Sequence, residues 1–269
     1  MTHVADYALK LSEAELERYR WMAESAEAAE RDLWVTAGVA EGAAVADIGC
    51  GPGAISVVIA GRVGPSGRVV AVERSPEVAE VARAAASRAG LDNVTVTVGD
   101  AQDTGIAPGS VDLAMIRHVL AHNGGREEAI VAHAATLPRP GGCVYLVDVD
   151  LSATRSRPPD TDLADLEDRY RQWHEQQGND LSVGLRLAEL LTAAGLETVD
   201  YQGRYQIVSA PPGFRPPSWA ARDSLVAAGL AIAADVGRWS AAFDRLDATP
   251  ERPVIFVPLF FAVGRRPAG

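Results

Sequence analysis

Lysine and cysteine are nearly missing from this chain, and its 269 residues contain no long apolar run. Lys10 is the only lysine, and every other basic side chain is arginine. Acidic residues outnumber basic ones, 36 to 25, which leaves a net charge of −11. A polyanionic partner needs clustered Lys and Arg to meet its phosphates, so no nucleic acid is expected to bind. Only two cysteines occur, Cys50 in a glycine-rich turn and Cys143 in a stretch with strand character. Neither their number nor their spacing suggests a disulfide framework or a zinc site. No apolar run reaches the roughly 18 residues of a membrane-spanning helix. The longest strongly apolar stretch, 254–263, is broken by Pro258. The N-terminal region has no basic-then-apolar pattern, and residues 11–31 are highly charged. A cytoplasmic protein with no membrane partner is the expectation.

What the chain does have is glycine at chosen places. Residues 45–53 read Val-Ala-Asp-Ile-Gly-Cys-Gly-Pro-Gly, and a helix-compatible run, 54–60, follows at once. That order builds a strand, a tight turn and a helix. Glycine there allows positive φ and close backbone approach to a ligand. The helix start adds free N–H donors and partial positive charge. Together they suit the polar part of a nucleotide-like ligand. The spacing of Gly49, Gly51 and Ala54 also fits dinucleotide-binding domains, so the turn alone leaves the ligand open. Asp47 stands two residues before the first glycine, where a buried-edge carboxylate wants a cationic or N–H partner.

The elements that follow alternate. Residues 67–73 form a continuous apolar strand ending in Glu73, about 20 residues beyond the turn, where a carboxylate can accept from a ribose 2′,3′-diol. Ser75-Pro76 opens a helix that stops at Gly90. Strands over 93–98 and 111–116, a helix over 126–137 and a strand over 143–149 complete the alternation, which predicts a parallel sheet with helices on both faces. Before it, the Ser12-to-Glu15 capping pattern starts a helix at Glu13 that runs through Ala26 and restarts over 30–39. After it come an insertion (151–180) with a helix over 162–177, a helix over 183–194 and a strand over 197–208. The Pro-rich residues 156–160 read as irregular. Helices over 218–228 and 230–246 and a last strand over 254–263 close the chain. Pro258 in that strand suggests a bulge or a sheet edge.

Asp47-Ile-Gly-Cys-Gly-Pro-Gly53 closely resembles the first motif of class I S-adenosylmethionine (SAM)-dependent methyltransferases. Glu73, Gly99-Asp100-Ala101 and Pro140-Gly141-Gly142 follow in the order of that family's later motifs, and the resemblance is strong over about residues 40–150. It implies an α/β fold: a seven-stranded, mostly parallel, doubly wound sheet with an antiparallel last strand. A helical cap from residues 1–40, 151–180 and 211–247 would complete one domain spanning 1–269. It implies SAM as cofactor and S-adenosylhomocysteine as product. Asp47, Gly49, Gly51 and Gly53 would hold the amino-acid end, and Glu73, with Arg74 beside it, the ribose. Asp100 and Ala101 would meet the adenine, and Arg117 would lie beside the methionine portion.

The acceptor side is less defined. His118 and His122 follow the strand 111–116, where donor and acceptor should meet, and imidazole titrates near neutrality as a general base should. Four residues apart, they could share a helix face. As a metal pair they lack a third ligand, and a single Asp-x-Asp at Asp148 and Asp150 is common, so no metal is expected. Tyr19, Trp21, His118 and Trp173 are candidate walls for the acceptor. His133, His174 and His3 have no supporting pattern. No Asn/Asp-Pro-Pro-Tyr tetrad follows the fourth strand, and with the acidic charge this favours a small-molecule acceptor; the richness in arginine, alanine and glycine hints at a high-GC bacterium, where secondary-metabolite enzymes of this type are frequent. A homodimer remains admissible. Two alternatives stand beside methyl transfer. One is SAM binding without transfer, in a cyclase or regulatory protein. The other is a NAD-binding oxidoreductase, which the single lysine disfavours.

Overall fold

The computed structural model describes residues 13–268. Ser12, the expected N-cap, lies outside the described residues, as do the other residues before Glu13. The chain enters as one 25-residue helix, α1 (Glu13–Ala37). The expected restart near residue 30 does not occur, because 26–30 read Ala-Glu-Ala-Ala-Glu, strong helix formers with no glycine or proline to stop the hydrogen-bond ladder. Then come β1 (Ala44–Ile48), α2 (Ala54–Val63), β2 (Arg68–Glu73), α3 (Pro76–Arg88), β3 (Val94–Val98) and β4 (Val111–Arg117). They are followed by α4 (Glu127–Thr136), β5 (Pro138–Val149), β6 (Arg155–Arg157), α5 (Thr161–Gln176), α6 (Leu187–Ala193) and β7 (Glu197–Ser209). Three helices, α7 (Pro217–Ala220), α8 (Arg222–Ala227) and α9 (Ala233–Ala248), precede β8 (Val254–Arg265). Ser75 caps α3 as its sequence predicts, accepting from Val78 N–H.

The sheet runs β3-β2-β1-β4-β5-β8, with β7 on the far side of β8. The first five strands are mutually parallel, and β8 is antiparallel to both β5 and β7. This is the predicted mostly parallel sheet with an antiparallel last strand. It has eight strands rather than seven. The 12-residue β8 pairs with β5 only through Leu259–Arg265, which leaves residues 254–256 open on that side. Residues 155–157, expected to be irregular, fill the gap as β6. Pro258 is therefore not at an edge: it lies between Tyr205 of β7 and the junction of β5 with β6. Its carbonyl accepts from Asp150 N–H at that junction, where the chain leaves the sheet for a short 3₁₀ turn. The N–H that proline lacks faces the one place where no ladder partner waits.

All five residues of β1 are buried, as an apolar strand flanked by two parallel neighbours must be. One face of the sheet packs Ile59, Ala60 and Val63 of α2 with Leu33 and Trp34 of α1. The other packs Ile130, Val131 and Ala134 of α4 with Leu187, Leu190 and Leu191 of α6. A third apolar cluster belongs to the insertions: Leu166 of α5, Leu225 of α8 and Trp239 and Phe243 of α9. Trp219, Trp239 and Phe243 serve this cap core rather than a pocket. Arg238 ties α9 to Asp162 and Asp165 of α5, and Trp239 Nε1 donates to Asp165 at 3.0 Å. The cap is thus pinned by one fully buried indole among charged partners. Trp239→Ala should cost about 3–5 kcal/mol, read as a lowered urea midpoint for unfolding.

Candidate functional site

The carboxyl ends of β1, β2 and β4 meet at the glycine turn. Gly49, Gly51 and Gly53 have φ of 74°, 53° and 81°, all in the left-handed region. Gly49 and Cys50 N–H both donate to Val72 O, at 2.8 and 3.0 Å, and so tie the turn to β2. The three glycines differ in what a side chain would meet. A Cβ on Gly49 would lie 2.5 Å from Val119, and one on Gly53 2.9 Å from Ala82 of α3. Those two permit close packing. At Gly51 the nearest atom is Tyr19 Cε1, 3.9 Å away, so room for a ligand remains on that side.

Glu73 closes this cradle from the end of β2. Its Oε2 accepts from Gly51 N–H at 3.1 Å and its Oε1 from Ser75 N–H at 2.9 Å. Each carboxylate oxygen keeps a further acceptor direction. A pair of adjacent hydroxyls is the group that two such oxygens on one rigid carboxylate can take. Asp47 lies beneath, 3% exposed, with Ser56 Oγ donating to it at 2.6 Å. Burial raises its pKa to about 6, against the lowering pull of Ser56 and Arg117. Its partner is thus a hydroxyl, with the Arg117 charge acting at longer range.

Asp100, beyond β3, accepts from Gln102 N–H at 2.9 Å and pairs with Arg126, whose hydrogen bond holds its carboxyl below the usual range. Ala101 is half-buried against the core, and Arg74 is exposed and acts on Asp100 through its charge. Arg117 ends β4 with both Nη atoms on Glu30 of α1. The Glu30 carboxylate also accepts from Tyr145 Oη at 2.9 Å and Trp34 Nε1 at 3.2 Å. This buried cluster fastens α1 across the strand ends and holds the Arg117 guanidinium toward α1. Glu30 was not singled out from the sequence; its signal was a glutamate one turn before Trp34 on the helix face that packs inward. Tyr19 is brought over Gly51, with Arg18 stacked on its ring at 5.1 Å. Trp21 is not brought in: it is 44% exposed. Residues two apart on a helix point about 200° apart, so Tyr19 and Trp21 cannot line one wall.

His118 is the only non-glycine residue with positive φ among the described residues, at 53°. Such a conformation costs of order 1–3 kcal/mol and concentrates at functional sites. It is held by His118 N–H donating to Val147 O at 2.9 Å. Burial, and then the Arg117 charge, push its ring pKa down to about 3; burial takes His122 to about 4. Both rings are therefore neutral at pH 7. Asp148 shapes the same segment, accepting from Ala121 N–H at 3.2 Å, and burial raises its pKa to about 7. Asp150 accepts from Ser152 and Ser182. The Asp148–Asp150 pair is structural, and no metal-binding group of three His, Cys, Asp or Glu side chains exists among the described residues.

The structure adds a histidine that the sequence pattern did not suggest. His174 of α5 sits 5.1 Å, ring to ring, from His122, with Trp173 edge-on at 4.8 Å and Tyr170 at 4.5 Å. Asn179 accepts from Gly124 N–H through Oδ1 at 3.0 Å, so its Nδ2 must be the donor to His174 Nδ1 at 2.9 Å. His174 Nδ1 is thus an acceptor, and the ring proton is on Nε2. That Nε2–H is buried with no hydrogen-bond partner among the described residues. His118, His122, His174 and Trp173 therefore gather where β4 delivers the chain. His174 was invisible from spacing because it lies 52 residues beyond His122 on an inserted helix. A separate cavity of about 610 Å³ opens at the opposite ends of the strands, between residues 36–43 and 139–143, and contains none of the predicted site residues.

The methyltransferase domain family matches residues 40–195, more than half of the chain. The chain belongs to the class I SAM-dependent methyltransferases. Nocamycin O-methyltransferase of Saccharothrix syringae is 35% identical over 102 residues, 37% of this chain and 35% of that one. The chain spans from about a third to a half of the length of the curated relatives it matches first. Among solved structures, geranyl diphosphate methyltransferase in complex with SAM aligns with a TM-score of 0.53 at 18% identity, over 94% of this chain and 88% of that one. The [4+2]-cyclase SpnF aligns at 0.56 and 21%, over 88% and 80%. At that identity these likenesses concern the fold. The residues present fit the family's donor: Gly51 leaves room beside the turn, and both Glu73 oxygens keep acceptor capacity.

Two outcomes follow for this methyltransferase domain. Removing one partner of a buried ion pair leaves the other uncompensated. Glu30→Ala should therefore destabilise by about 3–5 kcal/mol, and urea unfolding measures it. The buried titratable groups also set a pH dependence. His118, His122 and His174 have lowered pKa values, so the unfolded chain binds more protons below about pH 6.5 and their contribution to stability rises as pH climbs from about 4 to 6.5. Asp47 and Asp148 have raised values, so the folded state holds their protons longer and their contribution falls as pH climbs from about 4 toward 6 or 7. Glu167, whose pKa burial also raises, acts in the same sense as the two aspartates, so the carboxyls partly offset the imidazoles: stability should rise modestly from pH 4 to about 6 and fall back slightly toward pH 7 as Asp148 loses its proton, in melting temperatures recorded across that range.

Proposed function

We propose that this chain transfers a methyl group from SAM to an oxygen, nitrogen or carbon atom of a small molecule and releases S-adenosylhomocysteine. The observation that carries the proposal is Glu73, whose two carboxylate oxygens are oriented by Gly51 and Ser75 N–H beside an open glycine cradle. Bound SAM would supply a sulfonium methyl for in-line displacement, and most of the rate would come from holding donor and acceptor in line. In this reading the Gly49–Gly53 turn holds the amino-acid end and Glu73 the ribose diol. Asp100 receives the adenine amine on the oxygen not taken by Arg126, Ala101 meets the ring, and Arg74 flanks it. Arg117 and Asp47 set the charge beneath the methionine portion. Tyr19 roofs the cradle.

The acceptor then lies toward His118, His122, His174 and Trp173. Both His118 and His122 are neutral at pH 7 and can take a proton, but burial makes them weak bases. They suit an acceptor whose attacking group is already acidic. The His174 Nε2–H is a ready donor to an oxygen of that acceptor. The net charge of −11 and the O-methyltransferase relative of S. syringae support a metabolite over nucleic acid.

Calorimetry with SAM and with S-adenosylhomocysteine tests the donor. Both should bind, and Glu73→Ala should weaken each at least tenfold. Binding of a nicotinamide dinucleotide with no response to either nucleoside would overturn the reading. Mass spectrometry of products tests the transfer: a gain of one methyl is expected, and an isomerised product would identify a cyclase instead.

A further inference from the structure

β7 is the outer strand of the sheet and pairs only with β8. It is 13 residues long, and an edge strand of that length presents a row of backbone groups to any strand that can match it. Proteins usually blunt such an edge with lysine, proline or an inward-pointing charge. β7 has neither lysine nor proline, and its one β-bulge, at Val199 between Thr198 and Asp200, lies near one end and leaves 200–209 as a regular ladder. Its outward face is apolar instead: Val199, Tyr201, Tyr205 and Ile207 are 36%, 39%, 59% and 62% exposed. Leu185, 50% exposed, extends the patch, because Tyr201 Oη donates to its carbonyl. Contiguous exposed apolar surface of this kind marks an interaction site.

The order of those residues points to the occupant. Val199-x-Tyr201-x-Gly203-x-Tyr205-x-Ile207 reads nearly the same in both directions about Gly203. We infer that the chain forms a homodimer by antiparallel pairing of β7 with β7 of a second copy, on a twofold axis through Gly203. A twofold interface must present the same patch from both sides, and this strand does. Tyr201 then faces Tyr205 of the second copy in the regular part of the strand, and the exposed Ile207 lies beside the bulge at Val199. On the other face Gln202 meets Arg204 and Asp200 meets Gln206, so no like charges oppose one another. Cross-strand aromatic and β-branched pairs are the combinations that stabilise a ladder. Glycine at the axis leaves that point without a side chain, and Phe260 already fills the space where its Cβ would be, at 2.9 Å. Arg204 is no obstacle, since it is paired with Asp32 of α1. The result joins two eight-stranded sheets into one, with both glycine turns on β1 three strands or more away from the seam.

Analytical ultracentrifugation of the full chain tests this directly, at micromolar concentration. The wild type should sediment as a dimer. The double variant Tyr205→Lys/Ile207→Lys should sediment as a monomer with an unchanged melting temperature, because both side chains are exposed. Hydrogen exchange should show the amides of 199–207 protected in the wild type and fast in the variant. A wild type that is monomeric throughout overturns the inference. So does a dimer that survives the double substitution, which would place the interface elsewhere.

Discussion

The Glu73 carboxylate is the constraint on which the site depends. One side chain accepts from the turn after β1 and from the turn after β2, and it thereby fixes the spacing of two loops whose donors, Gly51 and Ser75, are 24 residues apart in sequence. The hydrogen bonds are charge-assisted, the stronger kind, and they use only part of the carboxylate's capacity. Around this point the sheet does what a parallel sheet does: it delivers loops, and hence function, to the carboxyl ends of its strands. The glycines divide the work, two of them for close packing against Val119 and Ala82 and one, Gly51, with open space on its Cβ side.

The cap depends on a second buried polar cluster. Glu30, Arg117, Tyr145 and Trp34 join α1 to the end of β4 and the middle of β5 through four side-chain hydrogen bonds to one carboxylate. A fully connected buried network rigidifies, whereas a partial one destabilises. Here the consequence is positional, because Tyr19 reaches Gly51 only while α1 is held at that angle. At the histidine cluster Asn179 plays the matching part. It anchors Gly124 with its oxygen and the His174 ring with its nitrogen, and it selects the tautomer. The strained His118 backbone lies between these two fasteners.

Much of this was legible in the sequence wherever the chemistry is local. The strand-turn-helix of residues 44–63, the capped start of α3 and the strand ending in Glu73 all rest on neighbours in sequence, and they stand where periodicity and turn residues put them. Long-range pairing was not legible. Pro258 reads as an edge residue, because its missing N–H is visible in sequence while the break between β5 and β6 that excuses it is not. Glu30 and Arg117 are 87 residues apart, so nothing in either segment announces the pair. His174 looks like one more polar residue on a charged helix until folding sets it against His122. Trp21 shows the reverse error: its aromatic ring suggested a wall, and helix geometry sends it outward.

The central claim is that the glycine turn and Glu73 hold a sulfonium nucleoside, and a crystal structure of the protein soaked or grown with S-adenosylhomocysteine tests it most directly. The account predicts the ribose hydroxyls within hydrogen-bond distance of both Glu73 oxygens and the amino-acid end against the Gly49–Gly53 turn beneath Tyr19. Density for the nucleoside elsewhere, or a site that stays empty at saturating concentration, would contradict it.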